Sequence, residues 1–223
     1  MSFEQLFPRP LTTVDVVPLT LRENALCVGT MVRENEPMKG RAALPGGFVR
    51  PEEDSDVEAT ALRIMRDKIG CVPEYLEQLA VFSGPKRDPR EWSLSVAFVA
   101  VLLKPDDTEL TYALAGDLNG LPFDHNHIVR EALAKVRNRA GYSSLPLNFL
   151  EEPFTLPEAH GVYETVLDTR LDKAAFRRKL LETDFLEDTG KLSKPTGRVA
   201  RPAKLYRRAR GLRFTPRNFA SRL

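Results

Sequence analysis

The sequence predicts an α+β protein of two domains, the first organised around a glycine cradle and the second around a basic helix. Three observations carry this. β-type runs and a Gly-Gly turn opening onto an acidic helix start occupy the first part of the chain. A capping box, a short turn and a second capped helix follow Gly141. The charge also changes sign along the chain: Glu151–Leu223 holds 16 Lys and Arg against 10 Asp and Glu, whereas Met1–Leu150 holds 17 against 21. Thr189–Leu223 contains 11 basic residues and no acid, a one-sign segment that suits a polyanion such as nucleic acid.

A length of 223 residues with 42% hydrophobic and 29% charged side chains supports an ordinary buried core. No run approaches the roughly 18 apolar residues of a membrane span, and Met1–Pro10 lacks the pattern of an export signal. Two cysteines, Cys27 and Cys71, are too few for a disulfide framework and read as reduced thiols. The expected location is the cytoplasm, with no membrane partner.

In the first domain, Val14–Leu21 reads as a strand, with Pro18 placing it near an edge or a bulge. Arg22-Glu23-Asn24 turns the chain into a second strand, Ala25–Val32. A charged, proline-containing loop, Arg33–Arg41, leads to Ala43-Leu44-Pro45-Gly46-Gly47-Phe48-Val49. Here Gly46 and Gly47 allow a backbone cradle in front of a helix predicted from about Ser55 to Ile69, an arrangement suited to phosphate. On that helix Val57, Ala61, Ile64, Met65 and Lys68 recur at helical spacing, so Lys68 points with the apolar stripe. Either its stem packs while the ammonium reaches solvent, or the ammonium meets a bound pyrophosphate. The Lys86-Arg87-Asp88-Pro89-Arg90 turn offers two guanidiniums to a phosphate, unless Asp88 simply pairs with one of them. A strand follows at Leu94–Leu103, and Leu102–Leu121 reads as loop.

Asp124 is placed to cap a helix from His125 to about Arg139, whose first turn carries His125 and His127 in capping or surface roles, with no third ligand at metal spacing. The domains are therefore 1–142, including a connecting helix over 124–140, and 143–223. Thr155-Leu156-Pro157-Glu158 is a capping box for a helix to about Leu167 that carries His160 as a surface or partly packed residue. Asp172 caps a second helix, Lys173 to about Thr183, with Phe176, Leu180 and Leu181 on its packed side. Ala175, Arg178, Lys179 and Glu182 form the opposite face. Residues from Phe185 through Lys204-Leu205-Tyr206-Arg207 make a hairpin with a basic loop. Helix, turn, basic helix and hairpin define a winged helix, whose second helix enters the major groove. The DNA-contacting set is Lys173, Arg177, Arg178 and Lys179 on the helix, with Lys191, Lys194, Arg198, Arg201 and Lys204 on the wing.

The glycine cradle and the tail Arg63-Ile64-Met65-Arg66-Asp67-Lys68-Ile69-Gly70 resemble the Nudix box, which implies an α/β/α sandwich with a mixed sheet. In that pattern three glutamates on one helical face share Mg2+ and activate water. Here Ile64, Asp67 and Lys68 stand at those places, and the spacing from Gly47 to Arg63 is two residues longer than usual. A kept cradle with a broken metal site points to a sensor rather than a hydrolase. Asp67 with Glu52 or Glu53 leaves a single Mg2+ and residual turnover open.

Phe123-Asp124-His125, Phe154-Thr155-Leu156-Pro157-Glu158, Phe176-Arg177-Arg178-Lys179-Leu180, Gly197-Arg198 and Arg201 to Tyr206 together resemble the NrtR family of Nudix-related transcriptional regulators. The resemblance implies a homodimeric bacterial repressor of NAD-metabolism genes, acting at a palindromic operator in double-stranded DNA and associated with the nucleoid when bound. It also implies a small nucleotide effector, ADP-ribose or a relative, bound through Gly46, Gly47, Arg63, Lys68, Arg87 and Arg90 with no metal and no other cofactor. The alternative is a Nudix-type ADP-ribose or nucleotide-sugar pyrophosphatase with an accessory nucleic-acid-binding domain. Arg208–Leu223 lies beyond the resemblance.

Overall fold

A computed structural model describes residues 9–103, 108–194, 202–216 and 218–220. The chain divides into two compact units, residues 1–20 with 27–132, and residues 21–26 with 133–223. The division falls inside the connecting helix rather than after it, and the tip of the first hairpin belongs with the second unit.

The first unit is built on a sheet with strand order β3-β2-β1-β6-β5. Its strands are β1 (Leu11–Arg22), β2 (Ala25–Val32), β3 (Ala42–Ala43), β4 (Gly46–Phe48), β5 (Tyr75–Gly84), β6 (Ser93–Val101) and β7 (Thr111–Leu114). β4 pairs with β1 and β7 with β2. β1 and β6 run parallel, whereas β1 with β4, β2 with β3 and β7, and β5 with β6 are antiparallel, so the sheet is mixed. Val14, Val16, Val96, Phe98, Ala100 and Leu102 turn one face toward Ala61, Ile64, Met65 and Ile69 of the box helix. The alternate residues Val17, Leu19, Ala97, Val99 and Val101 are buried as well, as a central parallel pair covered on both faces requires.

Pro18 does not put β1 at an edge. β1 is interior, with Pro18 opposite Ala100 of β6. On its other side the partner is β4 at Thr13–Asp15 and β2 elsewhere, so Pro18 lies beyond the β4 pairing. The ring is accommodated against Gly29 of β2, where a Cβ would stand 3.3 Å from the Pro18 Cβ. β5 and β7 are strands that the sequence pattern left unmarked.

The box helix, α1, spans Val57–Ile64, with Asp56 as its cap accepting from the Ala59 amide at 2.7 Å. It continues as a π-helical turn over Met65–Ile69 and stops at Gly70, whose φ of 80° is the left-handed conformation that suits glycine. The wider turn changes which side chains face the sheet. Ile69 is fully buried alongside Met65, and Lys68 swings out of the apolar stripe into an exposed position.

α2 (His125–Ala140) runs from the first unit into the second. The second unit continues with a 3-10 turn at Leu145–Phe149, α3 (Leu156–Leu167), α4 (Lys173–Leu181), β8 (Leu186–Leu192) and β9 (Lys204–Arg208). The expected capping box closes at both ends, with the Glu158 carboxylate accepting from the Thr155 amide at 2.7 Å. Asp168 ends α3 in the left-handed region, and the Asp172 carboxylate caps α4 through the Ala175 amide at 2.7 Å. β8 and β9 pair antiparallel as the wing, and Phe154 adds a bridge to Tyr206. Phe154, Tyr163, Phe176, Leu180, Phe185, Tyr206 and Phe219 form its aromatic core.

Candidate functional site

The cradle lies where β4 crosses β1, with Gly46 registered on Asp15 and Gly47 on Val14. A Cβ on Gly46 would collide with the Asp15 carboxylate, and one on Gly47 would reach Ile64 at 3.5 Å. Glycine is thus a packing requirement at the first position. Ile64, standing where the enzyme pattern has a glutamate, seals the cradle from below as part of the core. The Lys68 Nζ donates to the Gly46 carbonyl at 2.7 Å, so a side-chain cation occupies the cradle's oxygen. Partial desolvation of the ammonium against the cradle lowers the Lys68 pKa although the residue is exposed, with Arg33 and Arg63 adding repulsion and Glu34 opposing it. Asp67 is exposed and paired with Arg66 at 2.8 Å, and Glu53 is paired with Arg50 at 2.9 Å. Among the described residues no group of three or more His, Cys, Asp or Glu could hold a metal ion.

The arginines expected around an effector separate into different roles. Arg63 is buried and bidentate on Asp54, at 2.7 and 2.6 Å, and also donates to the Phe48 carbonyl at 2.9 Å. It pins α1 to β4 instead of facing outward. The Arg63 guanidinium, aided by the Arg50 amide and the Thr60 hydroxyl, holds the Asp54 carboxyl well below the usual carboxylate range. Arg87 is equally occupied. It reaches both Asp124 oxygens at 3.0 Å, Ser93 Oγ at 3.2 Å and Asp15 at 3.4 Å. Arg90 alone of the three is substantially exposed. Asp88 orients it through bonds of 3.0 and 2.7 Å, and its guanidinium lies 5.4 Å from the centre of the half-exposed Phe48 ring.

Sequence reasoning missed Arg33. Its Nε donates to the Pro37 carbonyl at 2.9 Å, and its guanidinium stands 4.8 Å from the Phe123 ring centre. Burial lowers the Arg33 pKa, and Arg90 is the next contributor. Arg33 thus lies within electrostatic reach of Arg90, and Lys68 within reach of Arg33. Arg33 sits at the end of a strand in a charged loop, and only folding brings it to Phe123.

His125 is a second surprise. It is buried, not a surface or capping residue: Nδ1 accepts from the Leu44 amide at 3.0 Å, and Nε2 lies 3.6 Å from Asp15. Asp124 does start α2, its carbonyl accepting from the Ile128 amide at 3.0 Å, while Arg87 takes its carboxylate. Burial lowers the His125 pKa below 6.5, against the pull of Asp15 and Asp124 and with the push of Arg87 and Arg33. A neutral ring in the folded state means that its stabilising contribution is complete above about 6.5 and fades as pH falls toward the depressed folded value. The urea midpoint of the first unit should thus fall on mild acidification, and His125→Gln should flatten that dependence. An unchanged pH profile in the variant would assign the effect elsewhere.

On the second unit, α4 presents Lys173, Ala174, Arg177, Arg178, Leu181 and Glu182 to solvent. Two expected assignments change. Leu181 is 46% exposed instead of packed, one helical step off the buried Leu180. Lys179 is only 6% exposed, its Nζ donating to the Asn218 carbonyl at 3.0 Å, so it does not face DNA from this position. Ala174, not Ala175, is the small residue fully on the open face. His160 is buried, bonded to the Leu171 carbonyl at 3.0 Å and edge-on to Phe176. On the wing Lys191 and Lys194 are exposed, and Lys204 is exposed but paired with Asp188 at 2.9 Å. Arg198 and Arg201 lie outside the described residues.

A Nudix-type sandwich whose metal-ligand positions are altered, followed by a winged helix with an arginine-bearing open face, defines an effector-sensing DNA-binding protein in class. The NrtR DNA-binding winged helix domain matches residues 146–208. The chain is 37% identical over 213 residues to the ADPR responsive transcriptional repressor NtrR of Acinetobacter baylyi, covering 90% of this chain and 83% of that protein. It is also 34% identical over 134 residues to an ADP-ribose pyrophosphatase of Methanocaldococcus jannaschii, covering 57% and 75%. The crystal structure of Shewanella oneidensis NrtR complexed with a 27mer DNA superposes with a TM-score of 0.80 at 32% identity, covering 95% of this chain and 99% of that one. The Nudix domain of the same Shewanella protein complexed with ADP ribose superposes with a TM-score of 0.54 at 30% identity, covering 60% and 93%. This chain belongs to the NrtR family.

Proposed function

We propose that this protein is a transcriptional repressor whose hold on operator DNA is set by ADP-ribose or a related nucleotide bound at the cradle. The carrying observation is the open face of α4, where Arg177 and Arg178 project beside the small Ala174 while the opposite face is locked in an aromatic core. Forked guanidiniums suit guanine edges, and exposed wing lysines suit phosphates. The relatives named for DNA, ADP-ribose and repression support the same reading. The reading extends to a homodimer on a palindromic operator, with half-sites about one or two helical turns apart, and to NAD-metabolism genes as targets. Mobility shifts on duplexes from the chain's own genomic neighbourhood, with and without ADP-ribose, test it. An operator affinity left unchanged by saturating ADP-ribose and by saturating related nucleotides would remove the effector half of the proposal.

The effector needs no divalent metal in this reading. Lys68 supplies a cation at the Gly46 carbonyl, and Arg90 and Arg33 add positive charge for a diphosphate. Arg90→Ala is expected to weaken ADP-ribose binding by about 1.5–3 kcal/mol, the usual worth of a hydrogen bond to a charged group. Calorimetry in chelator should give the same affinity as in Mg2+, and an absolute Mg2+ requirement would contradict the reading. The same positions argue against a working pyrophosphatase, because Ile64 is sealed in the core and Lys68 repels a metal. Turnover of ADP-ribose at about 1 per second or faster would restore the enzyme alternative.

A further inference from the structure

β9 ends at Arg208, which is also where the winged-helix domain match ends. The residues that follow do not lead away from the domain. The Ala209 amide donates to the Phe185 carbonyl at 2.8 Å. Arg213 exchanges two bonds with Ser144, its carbonyl accepting from the Ser144 amide at 2.9 Å and its amide donating to Ser144 Oγ at 3.0 Å. The Thr215 amide donates to the Tyr142 carbonyl at 2.8 Å, and that of Phe219 to the Gly141 carbonyl at 2.7 Å. Phe214 stacks on Tyr142 beneath the Arg139 guanidinium. The basic tail, which the family resemblance left unassigned, is stitched onto the Gly141–Ser144 turn.

Its last anchor reaches the reading helix. Phe219 is buried among Tyr163, Phe176 and Phe185, with ring centres 4.9, 5.6 and 6.1 Å away. Beside it the Asn218 carbonyl takes the buried Lys179 ammonium. Phe176 and Lys179, with Leu180, face inward from α4, and Arg177 and Arg178 lie between the first two on the outward side. A helix as short as Lys173–Leu181 has little stability of its own, so its rotation is set by whatever holds its inner face.

We infer that residues 209–216 and 218–220 form a clasp that sets the reading helix. Phe219 and the Asn218 carbonyl hold α4 by Phe176 and Lys179, which makes Lys179 and Phe219 positioning residues for base recognition, not DNA contacts. The inference rests on the DNA-reading role proposed above. Its physical consequence is selective. Base-edge contacts require a side chain placed within about 0.5 Å, whereas phosphate contacts carry no sequence information and depend mainly on net charge. Loosening α4 should therefore erode sequence preference while leaving non-specific binding in place.

The test uses the full chain and a duplex that the wild type selects from a random-sequence pool, with a scrambled duplex of equal length. Phe219→Ala and Lys179→Met should each weaken the selected duplex by about tenfold or more, the scale of one lost base contact, with scrambled binding held within about twofold. Lys179→Arg should recover most of the loss. The salt slope of Lys179→Met should match the wild type, because no phosphate contact is lost. Should Phe219→Ala fail to fold by circular dichroism, Lys179→Met decides, since it keeps the buried stem and removes only the ammonium. Equal losses on both duplexes, a slope lowered by about one unit, or no loss at all would each overturn the clasp. Failure of the wild type to select any duplex would sink the DNA-reading role itself, a distinct result.

Discussion

Phe176→Ala is expected to cost the second unit about 3–5 kcal/mol, the range for emptying a buried phenylalanine site, and to abolish operator binding. Phe176 is 2% exposed and edge-on to both His160 and Tyr163, with Phe219 on a further side. Neighbours so placed cannot all collapse into the void, because Tyr163 is tied through its hydroxyl to the Ser143 carbonyl at 2.8 Å and His160 to Leu171. Domain stabilities run to about 5–15 kcal/mol, so a loss of this size removes a large part of the margin. The loss should stay local. Urea unfolding followed by a fluorophore in each unit should show the second transition moving to lower denaturant and the first unmoved. Calorimetry with ADP-ribose should show unchanged effector affinity. A shift of both transitions together would mean that the two units unfold as one body.

Arg178→Ala should cost about 1–3 kcal/mol at the operator and relax base preference there, while Lys194→Ala should weaken all sequences alike. The contrast rests on position. Arg178 is exposed on α4 beside Arg177 and near Ala174, whereas Lys194 is exposed at the end of the wing hairpin, past β8. Removing one phosphate contact should lower the salt slope by about one unit. Mobility shifts on operator and scrambled duplexes over a salt series separate the two outcomes. Equal losses on both duplexes for both variants would dissolve the distinction between reader and clamp.

Local chemistry was legible in the sequence. Thr155 and Glu158 cap α3, Asp172 caps α4, Gly70 ends the box helix, and Glu23-Asn24 turn the first hairpin with positive φ at both residues. These features depend on neighbours within a few positions, so the spacing of residue types was enough. The displaced glutamates at Ile64 and Lys68 were equally plain, and the family phrases located the winged helix.

Partnerships between distant residues were decided only by the fold. His125 reads as a first-turn residue until Leu44 and Asp15 are brought to its two nitrogens. Arg87 and Arg90 look alike in a loop, yet Asp124 and Asp15 consume the first while Asp88 leaves the second partly open. Lys68 shifted because a π turn altered the helical phase, which a fixed 3.6-residue period does not capture. β5 and β7 became strands through pairing with β6 and β2, a long-range contact with no local signature. Lys179 and the acid-free tail are the sharpest case. Composition set their charge and so their attraction to DNA. Which lysine faces outward, and where the tail packs, was decided by Phe219 finding an aromatic core assembled from α3, α4, β9 and the segments beside them.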